Sequence, residues 1–82
     1  MARINFTVEG LIDRAAGSGD APYDILRTLI DHQLGDGGFD PATQLFSVEI
    51  DPAAHSFADV RRAVADLGKR KGLVYLAVVM SP

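Results

Sequence analysis

Cysteine is absent from this sequence of 82 residues. Its absence excludes a disulfide framework, a thiolate nucleophile, and any zinc or iron–sulfur site that uses sulfur ligands. No apolar run approaches the ~20 residues of a membrane helix. Residues 1–6 also lack the basic and then apolar pattern of a signal peptide. We therefore expect a soluble, cytoplasmic protein that has no membrane partner.

Positive charge is scarce in the first two thirds of the chain. The formal net charge is −3; residues 1–56 carry nine acids and three arginines, whereas residues 57–82 carry two acids and five basic residues. General nucleic-acid binding depends on many phosphate contacts, so the overall acidity argues against it. The uneven charge is typical of a solvated surface, and it could also align subunits or present a basic spot to an anionic partner.

Length and composition predict one globular domain, residues 1–82, with room for a single modest core. Hydrophobic residues make up 48% of the chain and charged residues 23%, which is ordinary for a folded soluble protein. Neither an internal repeat nor a low-complexity tract interrupts the sequence.

The first half of the chain reads as a strand followed by a helix. Residues 3–8 alternate apolar and polar side chains and predict a strand with one buried face. A short helical turn over residues 10–16 is compatible with the sequence that follows. Asp20 then offers an N-cap, Pro22 fits the first turn, and the apolar spacing predicts a helix that stops at Gly35.

The second half repeats this layout after a turn-rich stretch. Residues 37–42 are compatible with a short strand, and residues 45–51 alternate as a second one-sided strand. Ser56 and Asp59 have capping-box spacing, so we expect a helix from Ser56 that ends at Gly68. Residues 73–80 form an unbroken apolar run, which predicts a central strand buried on both faces.

These elements predict an α+β two-layer sandwich, with a small, mainly antiparallel sheet and two helices on one face. Their inward positions define the expected core, which comprises Ile4, Phe6, Val8, Leu26, Leu29, Ile30, Phe46, Val48, Ile50, Phe57, Val60, Val64, Leu67, Leu76 and Val78.

The element order resembles the ferredoxin-like superfold, or a degenerate variant of it. The run Val8-Glu9-Gly10-Leu11 is similar to the strand end of heavy-metal-associated domains, which continue with a Cys-x-x-Cys loop. Residues 12–16 contain neither cysteine, so metal binding is not carried over, and the superfold alone assigns no function.

Several residues are candidates for a site. Lys69, Arg70 and Lys71 follow a predicted helix end, where they offset the helix dipole or bind an anion or a partner. The histidines, His32 and His55, are acid–base candidates. The loop at residues 17–19 is typical of a flexible connection, and Asp36 and Asp40 are typical of a turn. No pattern indicates a catalytic centre, a cofactor or a metal site.

Two functions fit this sequence. The first is a non-catalytic binding or regulatory module that works through self-association or a protein partner; the alternative is a small dimeric enzyme with a His/Asp acid–base site between sheet and helices. A final strand with two apolar faces would leave one face uncovered, which predicts a homodimer with Tyr75, Ala77 and Val79 at the contact. Leu11 and Ile12 are the alternative, intramolecular cover.

Overall fold

The computed structural model describes residues 1–11 and 21–81. The predictions for the helical turn at 10–16, the loop at 17–19, the Asp20 cap and Ile12 fall wholly or mainly on residues outside this part. Within it, the elements in chain order are β1 (Ala2–Glu9), α1 (Ala21–Asp31), β2 (Gly37–Asp40), β3 (Leu45–Ile50), α2 (Phe57–Lys71) and β4 (Ala77–Met80).

The four strands form one antiparallel sheet in the order β2-β3-β1-β4, and both helices pack on it. The predicted α+β class is therefore confirmed. Residues 37–40 do form the short strand that the turn-rich stretch allowed.

Strands β1 and β3 alternate as predicted. Phe6 faces Phe46 in the register, and both side chains are buried. Their rings stack with centroids 5.1 Å apart, and Phe57 of α2 meets Phe6 edge-on at 6.0 Å. Such aromatic contacts add to the hydrophobic stabilisation from burial, so this cluster ties α2 to the centre of the sheet.

Most of the expected core is buried, but Ile30 and Leu76 were predicted wrongly. Their side chains are 53% and 85% exposed. Ile30 lies just past the buried stripe of α1, which runs through Ile25 and Leu29. Leu34 is buried beyond the helix end instead.

Helix α1 ends earlier than Gly35, because Gln33 adopts a left-handed conformation with φ of 64°. The Leu34 N–H donates to the Leu29 carbonyl at 3.0 Å, and the Gln33 N–H donates to Ile30 at 2.8 Å. This pair of bonds is a Schellman motif, and the burial of Leu29 and Leu34 supplies its apolar contact. A glutamine at the left-handed position gave no sequence signal for the helix end.

Helix α2 begins as predicted and ends one turn later than predicted. The Asp59 carboxylate accepts the Ser56 N–H at 2.9 Å, as in a capping box. Gly68 lies inside the helix, and Gly72 is the left-handed C-terminal residue, with φ of 69°. The prediction that Gly68 ends the helix is wrong, and Lys69, Arg70 and Lys71 form the last helical turn.

The prediction that residues 73–80 form a central strand is also wrong. Only Ala77–Met80 form a regular strand, and β4 lies at an edge of the sheet. Ala77 pairs with Glu9, yet the N–H of Leu76 also donates to the Glu9 carbonyl at 2.8 Å. Two residues thus oppose one, which is a β-bulge, and a bulge shifts the alternation of side chains.

Candidate interaction surface

The β4 edge presents backbone groups that no described strand pairs with. The Ser81 N–H donates to the Asn5 carbonyl at 2.8 Å, and the register pairs Val79 with Thr7. In an antiparallel pair, hydrogen-bonded and non-hydrogen-bonded positions alternate. The N–H and C=O groups of Val78 and Met80 therefore point away from β1, towards the open edge.

Apolar side chains surround these backbone groups. We call Leu76, Ala77, Val79 and Met80 the β4 margin; all four are exposed, Val79 by 39% and Met80 by 51%. Val79 shares a face with Thr7 on the side away from the helices, whereas Met80 shares the face of buried Phe6. The margin thus offers apolar contacts on both sides of the strand.

The continuous alternation predicted that Tyr75 shares a face with Ala77 and Val79. This prediction is wrong. Tyr75 packs against the buried core, and a Cβ placed on Gly68 would lie 3.6 Å from the Tyr75 ring. At that distance a Cβ would make an ordinary van der Waals contact, so the Tyr75 ring packs close to α2 at Gly68. The bulge at Leu76 then puts Val78 inward and Ala77 and Val79 outward. Whether these residues form an interface stays a prediction.

The open face of the sheet beyond β4 is polar. The Arg3 Nη2 lies 2.7 Å from the Glu49 carboxylate, and the Arg3 Nη1 donates to the Ser47 hydroxyl at 3.2 Å. These exposed contacts lie across the β1–β3 pair. Leu45 at the start of β3 is half-buried on this face, and the exposed apolar residues Ala77 and Val79 lie on its β4 side.

The three basic residues at positions 69–71 differ in their contacts. The Arg70 Nε donates to Asp66 of the same helix at 3.1 Å, and its Nη2 donates to the Thr28 hydroxyl of α1 at 3.4 Å. The Lys71 ammonium lies 3.6 Å from Asp24 of α1. Lys69 has no carboxylate partner in the described chain. Two of the three cations thus join the helices, and one remains for a partner or for the helix dipole.

Asp24 is a charged residue that the sequence analysis missed. Its side chain is only 11% exposed and lies 3.7 Å from Arg27 as well as near Lys71. The available sequence signal is its place one helical turn before Thr28, on the side of α1 that faces α2. Paired in this way, the buried carboxylate helps to fix the contact between the helices.

Each predicted acid–base histidine contacts an aspartate, but the two pairs lie apart. The His32 Nε2 lies 3.1 Å from Asp66, and the His55 Nδ1 lies 3.5 Å from Asp59. The His32 hydrogen bond, followed by that of Arg70, lowers the pKa of Asp66. The His32 contact joins the end of α1 to the second half of α2, whereas the His55 contact lies at the start of α2. Within residues 1–11 and 21–81 no three potential ligands converge on a metal position.

A shallow cleft at one end of the sheet contains neither histidine. Its walls include Val8, Leu11, Tyr23, Phe39 and Phe46. Glu9 is the one ionisable carboxylate among its described lining residues, so the acid–base pair of the enzyme alternative is not assembled there. Leu11 packs against the buried core; its role as cover for the open face of the sheet stays a prediction.

The comparisons with known proteins give no relative for this chain. No family model matches it, and no curated protein or solved structure resembles it significantly. Among the described residues, no helix has the length and apolar character needed to cross a membrane.

Proposed function

We propose that this chain is a non-catalytic binding module that works by association at its β4 side, with a second copy of itself as the first partner and a homodimer as the smallest assembly. The observation that carries the proposal is the edge of β4, which pairs with no further strand of the described chain and is flanked by exposed Leu76, Val79 and Met80. Edges of this kind template pairing with another chain.

The fold that we propose for this module is ferredoxin-like. Its support is the alternation of strand, helix, two strands, helix and strand, together with the sheet order β2-β3-β1-β4. This fold type hosts many functions, so it adds no function of its own to the argument.

Hydrophobic burial gives the β4 margin a favourable term for association. Fully covering one leucine, valine or methionine side chain is worth about 1.5–3 kcal/mol, and Leu76, Val79 and Met80 are each partly or largely uncovered. Added strand pairing would satisfy the outward groups of Val78 and Met80. These gains must exceed the entropy lost on association, which sets the affinity.

Sedimentation velocity from about 1 to 100 μM tests the proposal, since dissociation constants in this range correspond to binding free energies of about 5.5–8 kcal/mol. We expect the sedimentation coefficient to rise with concentration. Val79→Asp should weaken the association, because it places a charge on the apolar margin. Ala54→Asp adds the same charge at an exposed residue away from the sheet and should not. A wild-type chain that stays monomeric throughout, with Val79→Asp fully folded, would contradict the proposal.

A further inference from the structure

The sheet has a second open edge, at β2. The Glu49 N–H donates to the Asp36 carbonyl at 2.9 Å, and Gly38 pairs with Ser47. By the same antiparallel alternation, the N–H and C=O groups of Gly37 and Phe39 point outward. Each edge therefore offers two outward residues with both backbone groups free of a described strand.

The charges that lack a partner are divided between these two edges. In the described chain every lysine and arginine except Arg61 and Lys69 has a carboxylate within ion-pair distance. Carboxylates to which the described chain offers no ion pair lie at the other edge, where Asp31 ends α1, Asp36 precedes β2 and Asp40 is its last residue. Glu9 and Asp51 are also without ion pairs and lie on other elements.

Arg61 lies on the side of α2 that adjoins β4. It precedes Gly68 by two helical turns and therefore shares the side of the helix on which Gly68 meets Tyr75. Its guanidinium lies 5.2 Å from the centre of the Phe57 ring. Asp66 and Arg70, by contrast, make their contacts towards α1. The β4 edge is thus bordered by unpaired positive charge.

We propose that the β4 edge of one copy pairs with the β2 edge of a second copy, in a head-to-tail arrangement. This inference rests on the proposed self-association and names the surfaces that meet. When the two strands pair in antiparallel orientation, Val78 lies opposite Phe39 of the second copy and Met80 lies opposite its Gly37. The outward N–H and C=O groups of one strand then meet those of the other.

The side chains fit this pairing. Val78 and Met80 lie on the helix side of the sheet, and so do Gly37 and Phe39, which oppose buried Val48 and Phe46. Faces that match in this way are required for a continuous sheet. The pairing also places Met80 and Val79 over Gly37 and Gly38, where there is no side chain to obstruct them.

Charge favours the head-to-tail arrangement over a symmetric one. A symmetric β4–β4 contact brings the α2 helices together, with Arg61 and Lys69 facing the same cations of the other copy. Joining β4 to β2 instead brings these cations towards Asp31, Asp36 and Asp40. A heterologous contact of this kind leaves one free edge at each end, so the assembly grows with concentration beyond a dimer.

Two charge-reversed variants provide the test. Arg61→Glu/Lys69→Glu reverses the β4 side, and Asp31→Lys/Asp36→Lys reverses the β2 side. All four residues are exposed, so circular dichroism should match that of the wild type. Thermal melts should differ only by the small costs of losing the Arg61 contact with Phe57 and the positive charge of Lys69 near the end of α2. We expect each variant alone to associate about tenfold more weakly, a change of about 1.4 kcal/mol, because two attractive surface charge pairs become repulsive. A 1:1 mixture should recover wild-type affinity in sedimentation experiments.

The outcomes separate the inference from the proposed function. If Asp31→Lys/Asp36→Lys associates as well as the wild type, the β2 edge takes no part; head-to-tail pairing is then wrong, while self-association stands. A mixture no stronger than the separate variants would likewise contradict the pairing of opposite charges. A wild-type chain that remains monomeric would overturn both proposals.

Discussion

Strands β3 and β4 are both rich in apolar residues, and they differ in how those residues are covered. In β3, Phe46, Val48 and Ile50 are buried and alternate with partly exposed polar residues. In β4, Val78 alone is buried, and Val79 and Met80 remain accessible. The apolar residues of the interior strand are buried within the chain, whereas Val79 and Met80 of the edge strand are exposed and accessible to a partner.

The largest expected effect is the difference in stability between a side-chain truncation in β3 and one in β4. Phe46→Ala should lower the free energy of unfolding by about 3–5 kcal/mol, because it leaves a cavity where three aromatic rings pack. Val79→Ala should cost less than about 1 kcal/mol in dilute solution, because little buried area is lost. Chemical denaturation at low concentration compares them directly. A cost for Val79 near that of Phe46 would mean that β4 is buried.

The same contrast holds for charged side chains. Asp66 has oppositely charged or hydrogen-bonding partners, His32 and Arg70, whereas Lys69 has no carboxylate partner in the described chain. The pKa of Asp66 lies below its ordinary value of 3.8, owing first to the His32 hydrogen bond and then to Arg70. The stability from these contacts is fully present above that ordinary value and is lost as pH falls through the lower folded-state pKa. Denaturation between about pH 2 and 5 should show this loss in the wild type and less of it in Asp66→Asn. Asp31→Asn, which removes an unpaired carboxylate, is the matched control; equal slopes in both variants would contradict the account.

The smallest expected effect is the difference in stability between substitutions of Lys69 and Lys71. Lys71→Gln should destabilise the fold more than Lys69→Gln, because Lys71 approaches the largely buried Asp24. Both costs should lie below about 1 kcal/mol, since each ammonium is substantially exposed or near the helix end. Matched urea titrations of the two variants measure the difference. A larger cost for Lys69 would place an unrecognised stabilising contact at that residue.

The local sequence pattern was sufficient to predict the existence and type of the helices and strands and most of the core residues. The alternation in β1 and β3 identified their buried faces, and Ser56 with Asp59 located the start of α2. Helix ends were less predictable. Gln33 takes a left-handed conformation that favours glycine, while Gly68, which resembles a terminator, lies inside α2, and the helix ends at Gly72 instead.

The position of β4 could not be read from local pattern, because a continuous apolar run fits both a buried strand and one that changes its surroundings along its length. Leu73 and Tyr75 are covered by the core before the bulge, and the exposed residues come after it. Only the non-local pairing of Glu9 with both Leu76 and Ala77 reveals this change. The candidate surface follows from that pairing.

Amide hydrogen exchange as a function of protein concentration tests the central claim, that β4 is an edge available for association. The Val79 N–H points towards β1, so its exchange should be slow at every concentration. The Val78 and Met80 amides point outward; they should exchange rapidly in dilute protein and become protected as concentration rises, together with Gly37 and Phe39. If Val78 and Met80 exchange equally fast across a concentration range in which sedimentation shows association, the β4 edge is not the contact, and the account is contradicted.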